Sequence, residues 1–239
     1  LTVVSFRRLH PDYAVTLHTA TTSYATRWET GEHSIPYTGP DYRDALAGLV
    51  DDVSVVDDGE YTPTMRSDFR RADVLAEVGG VWSGMDVLWV QPLTALGLAA
   101  DVDVATVFVD GVCEIMLAAP GTAYFAKLGH LARTMAKPDS YQSAGPEALL
   151  ACGGHADVAR EFPDLVFADL PAITFYPIWW NQTAQLVHET VELPPETVGV
   201  HWFGGDATLE TFLNDYPTPE ALRTVDNTLT ATLRSLDLL

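Results

Sequence analysis

Residues 67–93 contain the side chains whose types and spacing are best suited to chemistry. Asp68 and Arg71 are three positions apart, so on a helix they share one face. A carboxylate beside a guanidinium can hold a sugar hydroxyl and a diphosphate oxygen together. The same spacing also occurs in surface ion pairs, which stabilise a helix by only about 0.2 to 0.5 kcal/mol. The spacing alone leaves both interpretations open.

Asp86 is the candidate metal ligand of this segment. It begins an apolar, β-rich stretch, residues 86–90, at a place where a strand is expected to leave a sheet. In α/β proteins such positions open a crevice in which ligands bind. Mg²⁺ and Mn²⁺ prefer oxygen ligands and commonly share them between protein carboxylates and substrate phosphates. We therefore predict Mn²⁺ or Mg²⁺ as cofactor, with Asp86 as a ligand.

A helix must position the first two of these residues. Thr64 is a suitable N-cap, Phe69 and Leu75 lie at helical spacing, and Gly79-Gly80 supplies the left-handed end that terminates many helices. The chain then passes through Val81-Trp82 directly into the stretch that carries Asp86. The sequence thus predicts a helix followed by a strand, with the candidate ligand beyond it.

The remaining pattern predicts an α/β fold. We expect further strands at residues 13–18, 53–56, 105–109, 114–118, 172–176 and 198–202. We expect further helices at residues 1–9, 44–50, 123–135, 146–152 and 220–236. Strands alternating with helices favour a mostly parallel sheet flanked by helices. No repeat or long linker divides the 239 residues, so we predict a single domain over 1–239.

Composition excludes several classes of protein. Acidic residues outnumber basic ones 33 to 13, giving a net charge of −20, which disfavours nucleic acid as a partner. No apolar run approaches the roughly 18 residues of a membrane span, and the stretch that begins at Leu1 lacks the features of a signal peptide. Cys113 and Cys152 have no metal-binding spacing and are predicted to be core thiols. We therefore expect a soluble, cytoplasmic protein.

Residues 67–93 resemble the DXD-motif glycosyltransferases with a sugar-binding region. This family includes a yeast initiating α-1,6-mannosyltransferase, bacterial capsular polysaccharide enzymes and, more distantly, the large clostridial glucosylating toxins. Its pattern runs Ser-Asp, Arg, Leu, Gly-Gly, an aromatic residue, Asp-x-Asp and Pro-Leu. The positions that match this pattern are Asp68, Arg71, Leu75, Gly79, Gly80, Trp82, Asp86, Pro92 and Leu93.

One position departs from the family pattern. Gly84 stands where the first Asp of Asp-x-Asp is expected, so the motif is Gly84-Met85-Asp86. The site then lacks an oxygen ligand for the metal or an acceptor for a sugar hydroxyl. Water or the Ser83 hydroxyl can replace that oxygen, and the alternative is a weakened or lost metal site.

Two downstream segments also resemble the family. The run from His201 to Gly205 is similar to a His-Trp-x-Gly-Ser element that closes over the donor phosphates, which implies His201 at the metal or β-phosphate and Trp202 in a lid contact. A core aromatic pair is the alternative. Residues 143–147 resemble a Thr-Gly-Pro turn that opens a helix, although Pro146 at a first helical turn explains them equally well.

The resemblance covers about residues 1–205 and implies a GT-A-like fold, with residues 206–239 as a C-terminal helical extension. The implied reaction transfers a sugar from a nucleoside-diphosphate sugar donor to a glycan or other hydroxyl acceptor, with retention of configuration. The implied donor-binding residues are Asp68, Arg71, Trp82, Gly84, Asp86 and Trp202, and the implied metal ligands are Asp86 and His201. Two alternatives are a non-catalytic nucleotide-sugar or glycan-binding relative and a purely structural protein.

Overall fold

A computed structural model describes residues 1–20, 35–56, 61–108, 114–140 and 142–239 as a mixed α/β structure. Its helices are α1 (Thr2–Leu9), α2 (Arg43–Ala47), α3 (Pro63–Glu77), α4 (Ala123–Met135), α5 (Pro146–Cys152), α6 (His155–Glu161), α7 (Ala184–Val187), α8 (Ala207–Asp215), α9 (Pro219–Leu222) and α10 (Thr228–Ser235). Its strands are β1 (Thr16–Ala20), β2 (Asp52–Val56), β3 (Gly80–Ser83), β4 (Val87–Trp89), β5 (Val104–Thr106), β6 (Ile115–Ala118), β7 (Phe167–Asp169) and β8 (Gly199–His201).

The strands form three small sheets. One contains β1 and β2, the second has the order β3-β6-β5-β7, and the third pairs β4 with β8. Pairs β1·β2 and β5·β7 are parallel, whereas β3·β6, β5·β6 and β4·β8 are antiparallel. The prediction of an α/β fold is confirmed at this level. A central, mostly parallel sheet is not seen in the ranges that the structure describes.

Helix α3 begins two residues earlier than the sequence indicates. Its N-cap is Thr62, whose hydroxyl accepts a hydrogen bond from the Met65 N–H at 3.4 Å, and Pro63 occupies the first turn. Proline suits the first turn of a helix, where an amide hydrogen would have no partner. The helix therefore begins at Pro63, and Thr64 lies inside it. The predicted end is confirmed: Gly79 has φ +73°, and a Cβ there would lie 2.6 Å from the Pro120 nitrogen.

One face of α3 is buried against α4. Phe69 and Leu75 pack in an apolar cluster with Tyr124, Phe125 and Leu128 of α4. Burying side chains of this size stabilises the fold by about 1.5 to 3 kcal/mol each. Asp68 and Arg71 are buried residues of the same helix, so this packing also fixes their positions.

The apolar stretch at 172–176 is not a strand. Residues Ala172–Thr174 form a 3₁₀ turn, in which the Phe175 N–H donates to the Ala172 carbonyl at 3.1 Å. The neighbouring strand is β7, which lies earlier in the chain and pairs with β5. Burial of Phe175 and Tyr176 explains the apolar pattern without any strand pairing.

The predicted helix over 220–236 is also wrong, since two helices, α9 and α10, occupy this region. Asn227 breaks it, because its side chain caps α10 by accepting from the Thr230 N–H at 2.8 Å. Leu229 and Leu233 then pack in one cluster with Leu88 of β4 and Val200 of β8. The C-terminal residues thus form part of the core beneath the β4·β8 pair.

Strand β4 is bonded along both edges. It pairs with β8 on one side, and on the other the hydroxyls of Thr2 and Ser5 in α1 accept from the N–H groups of Val87 at 3.2 Å and Trp89 at 3.0 Å. These side chains take the place of a neighbouring strand and satisfy buried backbone donors. The predicted N-terminal helix therefore has a direct part in positioning β4.

Two further expectations concern the cysteines and membrane spans. Cys152 is buried and free, and burial raises the pKa of its thiol to about 11, as expected of a core residue. Cys113 lies outside the described residues. In the ranges given above, no helix combines the length and apolar character needed to cross a bilayer.

Asn227→Ala should destabilise the fold by about 2 to 3 kcal/mol, because it removes a helix cap and leaves the Val187 carbonyl without the Asn227 amide that donates to it at 3.0 Å. Thr218→Ala removes a more exposed cap, that of α9, and should cost about 1 kcal/mol. Urea unfolding of both variants measures the difference. Equal losses would contradict the role assigned to the buried Asn227.

Candidate metal and donor site

The β4·β8 ladder brings Asp86 and His201 together. Val87 pairs with His201, and the Trp202 N–H donates to the Asp86 carbonyl at 2.8 Å, so both residues lie at the same end of the ladder. The distance between His201 Nε2 and Asp86 Oδ2 is 3.1 Å. The side chain of Asp86 is 27% exposed and that of His201 is 9% exposed, so the pair is largely buried and Asp86 is its more accessible member.

A strained turn after β8 completes the support of Asp86. Phe203 has φ 50°, a left-handed conformation that costs a non-glycine residue about 1 to 3 kcal/mol. It directs the Gly204 N–H to Asp86 Oδ2 at 3.1 Å. The Phe203 ring meets the His201 imidazole edge to face, with centroids 4.2 Å apart. One turn therefore orients both candidate ligands.

Glu114 is a third member of this site and was missed by the sequence analysis. Its backbone carbonyl accepts from the Gly84 N–H at 2.8 Å, immediately beyond the β3·β6 ladder in which Ser83 pairs with Ile115. One ligand atom from each of Asp86, Glu114 and His201 lies within 4.8 Å of the others. The strand predicted over residues 114–118 is β6, which begins one residue later at Ile115, so Glu114 immediately precedes it. Only the pairing of β6 with β3 reveals the position of Glu114.

The electrostatics of the site favour an ionised Asp86. Burial on its own would raise the pKa of this carboxyl group. The charge of His201, the hydrogen bond with His201 and the Gly204 N–H outweigh burial and lower the pKa below its ordinary value. Asp86 is thus negatively charged at neutral pH.

These residues fit a divalent cation. Two carboxylates and one imidazole leave further coordination positions open for water or phosphate oxygens. Magnesium favours sites made only of oxygen, whereas manganese also accepts imidazole. The donor set therefore suits Mn²⁺ better than Mg²⁺, and it contains both predicted metal ligands.

Asp68 and Arg71 form a buried ion pair rather than a surface one. Their side chains are 6% and 4% exposed, and Arg71 Nη2 lies 2.5 Å from Asp68 Oδ1. The carboxylate packs against the backbone of Gly145, where a Cβ would lie 2.8 Å from both of its oxygens. Direct contact of this pair with a donor would require the site to open.

The negative charge of Glu114 acts on the buried Asp68–Arg71 pair as well as within the cluster of Asp86, Glu114 and His201. Burial raises the pKa of Asp68 to about 7 against the opposing effect of Arg71, and the negative charge of Glu114 adds to the increase. Asp68 Oδ2 has no hydrogen-bond partner in the described part of the chain. Three carboxyl groups therefore lie within electrostatic reach of one another.

The other predicted donor residues lie in different surroundings. Trp202 is next to Asp86, since a Cβ on Gly204 would meet the Trp202 ring at 3.1 Å and Asp86 Cβ at 3.3 Å. Trp82 instead stacks on His18 of β1, with ring centroids 5.3 Å apart and planes 17° apart. Gly84 lies directly against Glu114.

The chain matches no family model and no curated protein. What the site can do therefore follows from its own residues. Asp86, Glu114 and His201 lie together. Asp68 and Arg71 lie in the interior nearby.

Asp68 should make the stability of the metal-free protein depend on pH. Its folded pKa of about 7 exceeds its ordinary value of 3.8, so the folded state binds more protons between these values. The free energy of unfolding should consequently fall as pH rises from about 4 to 7 and then level off. Urea unfolding in EDTA should show a flatter profile for Asp68→Asn.

Glu77→Gln removes an exposed carboxylate from the same helix and provides a charge-matched control. Its pH profile should follow that of the unsubstituted protein. If Asp68→Asn and Glu77→Gln give the same profile, Asp68 is not the source of the pH dependence.

Proposed function

We propose that the chain is a glycosyltransferase that uses a divalent cation, with Mn²⁺ preferred, to transfer a sugar from a nucleoside-diphosphate sugar to a hydroxyl acceptor. The observation that carries the proposal is the contact between Asp86 and His201. The family resemblance assigned metal ligation to these two residues from separate motifs. Their side chains meet at a partly open site and are joined there by a second carboxylate.

The residues of the chain would bind and orient the reactants. Asp86, Glu114 and His201 would hold the cation, which supplies positive charge to the departing nucleoside diphosphate. The Gly204 N–H fixes one Asp86 oxygen, and Phe203 fixes the plane of the His201 ring. Trp202 would cover the donor from the turn after β8.

The proposal includes a GT-A-like arrangement with the donor crevice at Asp86. Its support is the order of elements: the parallel pair β1·β2, then α3, then β3 and the turn that leads to Asp86. Retention of configuration is part of the proposal through the family resemblance, and no protein nucleophile is assigned.

A non-catalytic nucleotide-sugar or glycan-binding protein is the second candidate. The observation that favours it is Gly84, because the family pattern has a carboxylate at this position. Both candidates predict donor binding, and only the enzyme releases nucleoside diphosphate. Turnover therefore separates them.

A panel of UDP- and GDP-sugars with Mn²⁺, assayed by released diphosphate, tests the proposal. We expect turnover with at least one donor and a loss of about 10- to 100-fold or more in Asp86→Asn, because the substitution removes a charged ligand. Asp101→Asn removes an exposed carboxylate elsewhere and should leave the rate unchanged.

Binding of a donor without diphosphate release would favour the non-catalytic candidate. Turnover that is equal in Asp86→Asn and Asp101→Asn would show that the reaction does not depend on the proposed site. Absence of both binding and turnover across the panel would leave a structural role for the chain.

A further inference from the structure

The space beside Gly84 is already filled by a carboxylate. A Cβ built on Gly84 would lie 2.1 Å from Glu114 Oε2 and 3.1 Å from Asp86 Oδ1. The first of these distances is far below van der Waals contact, so a side chain at position 84 and the present position of the Glu114 carboxylate exclude each other. Glycine at this position is therefore coupled to the location of Glu114.

Backbone conformation does not explain this glycine. Gly84 is not one of the glycines with positive φ, so the backbone at this position is open to residues with side chains. The closest contacts of such a Cβ are with the ends of two side chains rather than with the main chain. A side chain at position 84 would have to displace the Glu114 carboxylate, so glycine at this position is linked to the site itself.

We propose that Glu114 supplies the metal-binding carboxylate that an Asp at position 84 would otherwise provide, with Gly84 leaving the space for it. The inference rests on the proposed function, because it names a ligand of that site. The carboxylate comes from the residue that precedes β6 instead of from the motif. The hydrogen bond from Gly84 N–H to the Glu114 carbonyl sets the two residues side by side.

The acidic character of the cluster supports a cationic ligand here. The oxygens of Asp86 and Glu114 lie within 4.8 Å of each other, with His201 as a third neighbour. Asp68 adds a carboxyl group that is 6% exposed, and its Oδ2 lacks a hydrogen-bond partner among the residues described. A cation bound between carboxylates at such distances would lower their mutual repulsion.

Variants that remove the carboxylate at position 114 or move it to position 84 test the proposal. Mn²⁺ alone is titrated into the metal-stripped full chain, and the bound fraction is measured by electron paramagnetic resonance. Glu114→Gln and Glu114→Ala should weaken Mn²⁺ binding about tenfold or more. Gly84→Ala should weaken it similarly, because the methyl group displaces the Glu114 carboxylate while Glu114 itself is retained.

The double variant Gly84→Asp/Glu114→Ala is the decisive one. It returns a carboxylate to the motif and clears the space for it, so its Mn²⁺ affinity should recover to within about threefold of the unsubstituted protein. Gly84→Asp alone places two carboxylates in one space and should bind more weakly than the double variant. Asp101→Asn is the matched control for loss of one negative charge.

Two results would overturn the proposal: Glu114→Gln with unchanged Mn²⁺ affinity, or a double variant that binds no better than Glu114→Ala. Circular dichroism melting of each variant separates loss of a ligand from loss of the fold. Metal affinity is measured without a donor, so its outcome is independent of sugar transfer. If Mn²⁺ affinity changes as expected in these variants but no donor releases diphosphate, the proposed function is rejected and the role of Glu114 in metal binding stands.

Discussion

The site depends on the register of two short strands. Val87 of β4 lies opposite His201 of β8, and this pairing places Asp86 beside the imidazole. A slip of one residue would turn the His201 side chain to the other face of the ladder. The register is held from both sides, by Thr2 and Ser5 along the outer edge of β4 and by α10 packed beneath the pair. Elements from both ends of the chain therefore determine the geometry of one contact.

The net charge of the chain bears on why the proposed reaction would need a cation. A formal charge of −20 repels diphosphate, and the acidic cluster at Asp86 and Glu114 concentrates that repulsion at the candidate site. The cationic residue that the motif supplies, Arg71, is 4% exposed and contacts Asp68 in the interior. Its charge balances a buried carboxyl group, and a metal ion held at the surface can bridge the cluster and the phosphates.

Local signals were sufficient for much of the fold. The bounds of α4 and α5 agree with the periodicity of their apolar residues, and the glycines after α3 stop that helix as expected. Contacts between Asp86 and His201 were anticipated only through the resemblance of their motifs. Glu114 could not be found in this way, because its place depends on antiparallel pairing of β3 with β6, and strand pairing is a non-local property. The break at Asn227 was missed for a related reason: a buried bond to the Val187 carbonyl holds this cap.

A sequence motif is useful because it places particular atoms in space. Its residue types identify those atoms only when each atom is supplied by the expected position in the chain. At position 84 the letter is glycine, although a carboxylate oxygen lies where its side chain would begin. Glu is one methylene longer than Asp, and this length lets the residue before β6 reach the position that follows β3. Gly84 and Glu114 can thus preserve together a set of ligands that neither would preserve alone. Asp at position 84 beside Glu114 would put two carboxylates in one space, and Gly84 without Glu114 would leave none. A search that demands Asp at the first motif position rejects such a site, whereas a search on oxygen positions retains it.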